Sequence, residues 1–430
     1  MKVLILGSGA REHALGWKIA QSSQLDQLYF APGNPGTGNI GENLSFSVDD
    51  RETLLKEIKE KEIRYLVVGP EDPIVEGIRD DINADPELEE LTVIAPNKAA
   101  ARLEGSKAFA KSFMERHSIP TAAYGSFSSE EREDAQAFLG SLQGPYVVKV
   151  DGLAAGKGVS IHDDIDSARQ EVDAILKSSK FGEAGQQVVI EEFLDGAELS
   201  VFALCDGTSY KLLPEAKDYK RIGEGDTGPN TGGMGAVSPV PFMDKVLLEK
   251  VEDRIVRPTL EGAYEEGMAY QGFLFFGLMI VNGEPYVVEY NVRMGDPEAQ
   301  VVLPRMDTDL LDLFEGIATG TLSERDIETD LHSAVSIVLA SGGYPGKYEK
   351  GKAISGLGEL EGSFLFQAGT SEQDGALVTA GGRVLTLTAL GRDLESALTI
   401  SLADAERIGY EGRSYRRDIG QDLLKKEAKA

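Results

Sequence analysis

Lys149-Val150-Asp151-Gly152-Leu153-Ala154-Ala155-Gly156-Lys157-Gly158 sets two ammonium groups around backbone that carries little side chain. Residues 146–150 before it and 158–162 after it are apolar enough to read as two strands, so the segment is a loop between antiparallel neighbours. It is not a P-loop. That motif needs four residues between its glycines, Ser or Thr after the lysine, and then a helix. Here three residues separate Gly152 from Gly156, and Gly158 follows Lys157. A glycine loop of this kind can fold down on a polyphosphate and offer it backbone N–H groups. Lys149 and Lys157 would supply fixed positive charge.

Far downstream, Val287-Val288-Glu289-Tyr290-Asn291-Val292-Arg293 alternates in polarity. The two-residue period of a strand puts Glu289, Asn291 and Arg293 on one face. A carboxylate and an amide oxygen are hard ligands suited to Mg²⁺, which takes few protein ligands beside phosphate oxygens. Arg293 on that face can meet a substrate oxyanion. Met294-Gly295-Asp296-Pro297-Glu298 follows, and Asp296 is expected to cap a helix starting at Pro297. Between these segments, the apolar run 188–190 ends in Glu191-Glu192-Phe193-Leu194, with Glu198 beyond. An extended segment of this type can meet an adenine edge, with a carboxylate nearby for ribose hydroxyls.

Composition narrows the classes. A chain of 430 residues, 41% hydrophobic and 27% charged, is ordinary globular protein of several domains. Its formal charge of −29 disfavours nucleic acid or an anionic membrane as partner. The longest apolar stretch, 272–281, is too short to span a bilayer. One cysteine, Cys205, excludes an internal disulfide, and the four histidines have no metal-ligand spacing. The reading is a reduced cytoplasmic protein.

Along the chain, residues 1–97 alternate strand and helix signals: strands at 2–6, 27–31, 46–48, 64–69 and 92–95, helices at 11–21, 51–61 and 74–82. This order predicts a doubly wound parallel sheet with its ligand beyond the carboxyl ends of the strands. Gly7-Ser8-Gly9-Ala10-Arg11-Glu12 carries two glycines of a dinucleotide fingerprint, but Glu12 stands where the third belongs, which disfavours NAD. The helix start can still take a phosphate monoester on free N–H groups, with Arg11 adding charge. Residues 121–205 read as a small α+β lobe, and 223–235 as a long glycine-rich functional loop. A helical stretch over 245–267 should kink at Pro258. Asn282-Gly283 predicts a hairpin, as does Gly381-Gly382. Strands at 333–340, 364–368, 376–380 and 383–389, then a helix capped by Asp393, make a mixed β tail. The fold class is α/β and α+β multidomain, with expected units 1–103, 104–120 plus 195–328, 121–194 and 329–430.

These residues resemble the ATP-grasp superfamily, and within it the phosphoribosylamine–glycine ligases. The likeness spans the chain: GSGAREHAL, APGNPGT, VVGPEDP, LEGSKAFAK, VKVDGLAAGKGV, VIEEFLDGAE, KRIGEGDTGPNTGGMGAVSP, GFLFFGLMI, VVEYNVRMGDPE, SGGYPG and GGRVLTLTALG. The resemblance implies a pre-ATP-grasp sheet followed by ATP-grasp lobes. It implies ATP as co-substrate, with Lys107 and Lys149 on its phosphates and 152–158 as the loop over them. Glu191, Glu192 and Leu194 would lie at adenine and Glu198 at the ribose. Glu289 and Asn291 would hold Mg²⁺ or Mn²⁺. Glycine and 5-phosphoribosylamine are the implied substrates. The ribose phosphate is placed at Gly9, Arg11, Asn34, Glu71 and Asp72, and the glycine site with a lid at Asp218, Arg221, Asp226, Arg293 and Gly295. Lys149, Lys157 and Arg293 are the expected catalytic charges. A monomer is expected, with transient contact to the amidotransferase that makes phosphoribosylamine. Two positions depart from the family pattern. Ala10 follows Gly9 where Gly-Gly is common, and residues 277–280 (Gly-Leu-Met-Ile) lack the acid many members place before the Glu-x-Asn pair. The number of carboxylates at the metal therefore stays open.

Overall fold

Four sheets of four or five strands build this computed structural model, which describes residues 1–153, 158–177, 187–268 and 270–427. The first sheet is parallel, in the spatial order Glu42–Asn43, Gln27–Pro32, Lys2–Gly7, Tyr65–Val68, Thr92–Ile94. Its central strands are buried on both faces, which is why they read as unbroken apolar runs rather than alternating ones. The chain winds outward from Lys2–Gly7 in both directions, so the switch point lies between Gly7 and Val68. The loops leading to Arg11 and Glu71 begin there.

The second sheet is antiparallel, in the order Tyr124–Ser128, Gln187–Glu192, Tyr146–Val150, Val159–His162. Helices Arg132–Ser141 and Ile165–Lys177 close one face and give this lobe its own core of Ala135, Leu139, Val148, Val172 and Ile190. The third joins Tyr210–Leu212, Ala197–Asp206, Gln271–Val281 and Glu284–Asn291. Asn282 and Gly283, both with positive φ (50° and 78°), turn its last hairpin as expected. The fourth sheet runs Lys217–Asp218, Gly235–Ser238, Ser333–Ala340, Arg383–Gly391, Ser363–Gln367. It mixes strands from both sides of residue 329. One apolar core likewise gathers Ile5 and Phe30 of the first sheet, Phe202 and Phe273 of the third, and Phe366 of the fourth.

Several local expectations are corrected. The short strand near the second is Glu42–Asn43, not 46–48. The helix expected over 74–82 is two, Glu71–Glu76 and Ile78–Asn83, divided by Gly77 at φ +101°. The helical stretch Lys245–Val251 passes through a π-helical turn, Glu252–Val256, before Arg257–Glu265. The wider turn absorbs the ring and missing N–H of Pro258. Gly381-Gly382 makes no hairpin, because Ala376–Thr379 pairs with Thr370–Gln373 while Arg383–Gly391 pairs with Ser333–Ala340 and Ser363–Gln367. Asp296 caps no helix. The helix starts at Ala299, and the Asp296 carboxylate is held by Arg383 at 3.1 Å and by Gln300, whose amide donates at 2.6 Å.

Candidate active site

The cavity measures about 1020 Å³; its wall takes residues from the second, third and fourth sheets, with Arg11 and Glu71 coming from helices that follow two strands of the first. Lys149 closes the apolar strand Tyr146–Val150 of the small lobe. Its ammonium lies 2.7 Å from Glu191 and donates to the Val288 carbonyl at 3.2 Å. Val288 precedes Glu289 on the third sheet, so this contact joins the two sheets over the cavity. Glu191 is shared: Lys111 reaches its other oxygen at 2.9 Å. Burial pushes the Lys111 ammonium down to about 8 in spite of that carboxylate. Lys107 begins the same helix, one turn before Lys111, and donates to the Gly152 carbonyl at 2.8 Å. Burial lowers its pKa too, with Glu289 opposing.

Glu289 and Asn291 come from the strand Glu284–Asn291 and both line the cavity. Lys220 stands 3.4 Å from Glu289 and is the main reason its carboxyl is held down to about 2, with Lys149 and Lys107 adding to the effect against burial. The buried Asn291 Nδ2 has no hydrogen-bond partner. Half a turn about the side-chain amide axis exchanges nitrogen for oxygen, so this amide is free to present an oxygen donor. A carboxylate held ionised and an unpartnered amide on one strand face fit a hard divalent cation. Among the described residues no group of three or more His, Cys, Asp or Glu is arranged to hold a metal, which leaves the remaining coordination to ligand oxygens and water.

Arg293 was expected on the same strand face, but the strand ends at Asn291 and Arg293 reaches the cavity from the bend that follows. It pairs with Glu104 at 2.9 Å and Glu71 at 3.4 Å, and Glu104 also accepts from the Val292 N–H at 2.7 Å. Burial raises the Glu104 carboxyl, whereas Arg293 and Arg11 outweigh burial at Glu71 and hold it low. Beyond lie Glu198, Asp218 and Glu298. Burial and then Asp218 push Glu298 up to about 8, and burial raises Glu198 as well. Lys220 is raised well above its ordinary value by Asp218 and Glu289. A Cβ at Gly295 would lie 2.3 Å from Glu298 Oε2, so any side chain there would displace that carboxylate.

The cavity wall thus collects Lys107, Lys149, Gly158, Glu191, Glu192, Leu194 and Glu198 of the expected nucleotide set, and both expected metal ligands. It also collects Arg11, Glu71, Asp218, Arg221, Asp226, Arg293 and Gly295. Gly156 and Lys157 lie outside the described residues. Gly152 is not in the wall, but its carbonyl accepts from Lys107, which is. The Glu192 N–H is already donated to the Ala123 carbonyl at 3.0 Å, so adenine has only its carbonyl side to meet.

Three expected phosphate-site residues are not in the wall. The helix start at Gly9 is not free: its N–H donates to Glu12 Oε2 at 2.6 Å, and Glu12 pairs with Arg11 at 2.7 Å. Glu12 thus fills the place of both the third glycine and an incoming anion. The buried Asn34 amide donates to the Ser8 and Gln367 carbonyls at 2.9 and 2.8 Å, and its oxygen accepts from Gly36 and Thr37. Asn34 therefore ties the first sheet to the fourth. Asp72 is exposed on the helix after Gly69.

Sequence reasoning missed Lys111, Glu104, Lys220, Glu298, Tyr344 and Arg383, all in the wall. Lys107 and Lys111 at i, i+4 shared a helix face and were findable. The others become visible only when distant strands meet.

Comparison with known proteins agrees along the whole length. Models of the phosphoribosylglycinamide synthetase N domain, ATP-grasp (A) domain and C domain match residues 1–104, 105–299 and 334–422. A phosphoribosylamine–glycine ligase of Mesorhizobium japonicum is 46% identical over 99% of both chains. One from Chlorobaculum tepidum is also 46% identical, over 99% of this chain and 100% of its own. The crystal structure of the Thermotoga maritima phosphoribosylamine–glycine ligase superposes with a TM-score of 0.85 at 38% identity, over 97% of this chain and 100% of that one. At 16% identity, a biotin carboxylase domain from Hydrogenobacter thermophilus shares the fold, with a TM-score of 0.72 over 96% of this chain and 91% of its own. ATP-grasp enzymes use ATP and divalent metal ions. This chain belongs to the phosphoribosylglycinamide synthetase family.

Proposed function

We propose that the protein ligates glycine to 5-phosphoribosylamine at the expense of ATP, giving glycinamide ribonucleotide, ADP and phosphate. The observation that carries this reading is the meeting of Lys149 with the Glu289 strand, two sheets brought together at one cavity. A carboxylate is a poor acyl donor, so glycine must first be activated. Its carboxylate oxygen bonds to the γ-phosphorus, the bond from that phosphorus to the bridging oxygen of ADP breaks, and glycyl phosphate forms. Lys107 and Lys149 neutralise the phosphates, and Arg293, held by Glu104 and Glu71, faces the transferring group. Such transfers depend chiefly on positioning and charge compensation. Mg²⁺, held by Glu289 and Asn291, would supply Lewis-acid charge at the phosphates; Mn²⁺ satisfies the same donors. The amine nitrogen of phosphoribosylamine then bonds to the acyl carbon, phosphate leaves, and one amine proton is lost. Glu298, a cavity carboxyl that burial raises to about 8, can accept it in its ionised fraction. No nucleophilic side chain is required.

Glu198 serves the ribose, Glu192 and Leu194 the adenine, and Asp218, Arg221, Asp226 and Gly295 the glycine end. Arg11 and Glu71 remain for the ribose phosphate, and Lys157 for the triphosphate. The reading extends to a cytoplasmic monomer that receives labile phosphoribosylamine from its amidotransferase. No helix among the described residues is long and apolar enough to cross a membrane. The deciding assay follows ADP release with glycine and freshly generated phosphoribosylamine, and with each omitted. ADP release that ignores glycine, or that another amine supports equally, overturns the assignment.

A further inference from the structure

The hairpin Arg221–Gly223 with Thr227–Asn230 contributes Arg221, Asp226 and Asn230 to the cavity, yet no residue in either strand is buried. A lone two-stranded hairpin is marginal in water, so its order must come from elsewhere. It comes from the other end of the chain. The Arg416 guanidinium, 1% exposed, donates to the Arg221 carbonyl at 3.1 Å and to Asp226 Oδ1 at 2.7 Å. Its other edge is fixed by both oxygens of Asp418, at 2.8 and 2.7 Å. Asp418 in turn accepts the Gly225 N–H at 2.8 Å, and the Arg417 N–H donates to Glu224 at 3.1 Å. The turn residues Gly225 and Asp226 both have positive φ, 69° and 54°, and are bonded on either side of that strained bend. Further along, Asp422 accepts from the Tyr219 hydroxyl at 2.6 Å and pairs with Lys217 at 3.2 Å. Lys217, Tyr219 and Asp422 all line the cavity.

We propose that residues 416–422 are a positioning clamp for the glycine end of the site: Arg416, Asp418 and Asp422 hold the 217–230 wall in its binding geometry. The proposal rests on the functional reading above. Arg416, Asp418 and Asp422 bond to none of the residues assigned to ATP, so the effect falls on glycine and leaves nucleotide binding alone. Charge-assisted, two-pronged bonds of this kind fix direction as well as distance. Misplacing a binding group by about 1 Å costs up to about 100-fold.

The test compares Arg416→Met, Arg416→Lys and Asp418→Asn with the parent, in the full-length protein. Two quantities are read: KM for glycine beside Kd for a non-hydrolysable ATP analogue, and hydrogen–deuterium exchange of the peptide spanning 219–231 without substrates. Arg416→Met should raise KM for glycine about 10- to 100-fold and speed exchange of that peptide, with the analogue Kd within about twofold of the parent. Arg416→Lys, which keeps charge but not the fork, should lie between. If Arg416→Met does not fold, Asp418→Asn carries the same expectations at smaller amplitude, since the Arg416–Asp226 pair survives in it. Unchanged exchange overturns the clamp. Faster exchange with unchanged glycine KM also overturns it, reducing the segment to a tether without influence on the site. A parent that shows no glycine-dependent ADP release fails the functional reading instead, and exchange still decides whether the clamp exists.

Discussion

Replacing Arg293 by alanine separates two jobs of one guanidinium. It lines the cavity, and it neutralises Glu104 at 2.9 Å and Glu71 at 3.4 Å. Loss of one preorganised charge aimed at a transferring group costs about 10²–10³ in rate, or about 2.7–4 kcal/mol. The second job concerns stability. Truncating one partner of a buried pair costs about 3–5 kcal/mol. The Glu104 side chain is 7% exposed but that of Glu71 is 28% exposed, so solvent screens the second pair and the lower end, about 3 kcal/mol, applies. Burial already raises the Glu104 carboxyl, and Arg293 is the main charge opposing it. Without Arg293 that pKa climbs further. A carboxyl raised by folding loses stability as pH rises from its unfolded pKa through its folded one. Arg293→Ala should therefore be closest to the parent in stability at acid pH, near the unfolded carboxyl pKa of about 4.3, and should fall further behind as pH rises. Adding Glu104→Gln removes the orphaned charge and should restore most of the stability but none of the rate. Single-turnover ADP formation and urea melts of each variant supply the measurements. If the double variant regains both stability and rate, Arg293 is a prop for Glu104 and has no part in the chemistry. A single variant within about threefold of the parent rate removes it from the site just as firmly.

Lys149→Met should lower the rate by about 10²–10³ with only a modest loss of stability, because Lys111 still neutralises Glu191 at 2.9 Å; a near-normal kcat excludes Lys149 from phosphate binding. Asn291→Leu should raise the Mg²⁺ concentration at half-maximal rate by at least about 10-fold, and a titration matching the parent's discards the metal assignment. His13, buried in the first helix, accepts the Gln367 N–H at 2.9 Å, and burial lowers its pKa to about 4. A base depressed by folding contributes stability that is complete above its unfolded pKa of about 6.5 and is lost as pH falls towards its folded value. The loss should approach about 1.4 kcal/mol per pH unit across that window, and His13→Gln should flatten it in urea melts; parallel pH profiles for the two proteins refute the assignment.

The residues that were legible are those whose meaning is local. Alternation placed Glu289 and Asn291 on one strand, although the strand ends at Asn291 and Arg293 reaches the cavity from the bend beyond it, and Asn282-Gly283 named its own turn. Lys149 needed only the apolar segment around it. Local rules failed where a distant group competes for the same atom. Asp296 has the position of a helix cap, but Arg383, brought alongside by the fourth sheet, takes its carboxylate. Gly381-Gly382 has hairpin chemistry, yet Arg383–Gly391 finds longer partners on both sides. The first helix start looked like an anion site because nothing in a string of letters shows Glu12 curling back on Gly9. Lys220 and Glu298 escaped for a related reason. Each is an unremarked charge in its own segment and gains meaning only from neighbours on another strand.

The same pairing explains how a chain of formal charge −29 can hold polyanions. The cavity is no bare cluster of cations. Lys149 is matched to Glu191, Lys220 to Glu289, Arg293 to Glu104, and Lys217 to Asp422. Each match fixes an otherwise flexible ammonium or guanidinium in place before any ligand arrives, so little entropy remains to be lost on binding. It also means that a simple anion meets cations whose charge is largely compensated, inside a protein whose net field repels it. Positive charge alone therefore does not recruit a ligand here. On the proposed reading a ligand brings a compensating set of contacts: an adenine for the Glu192–Leu194 edge, a cation for Glu289, an ammonium for the carboxylates around Asp218. On that reading selectivity follows from the carboxylates as much as from the lysines.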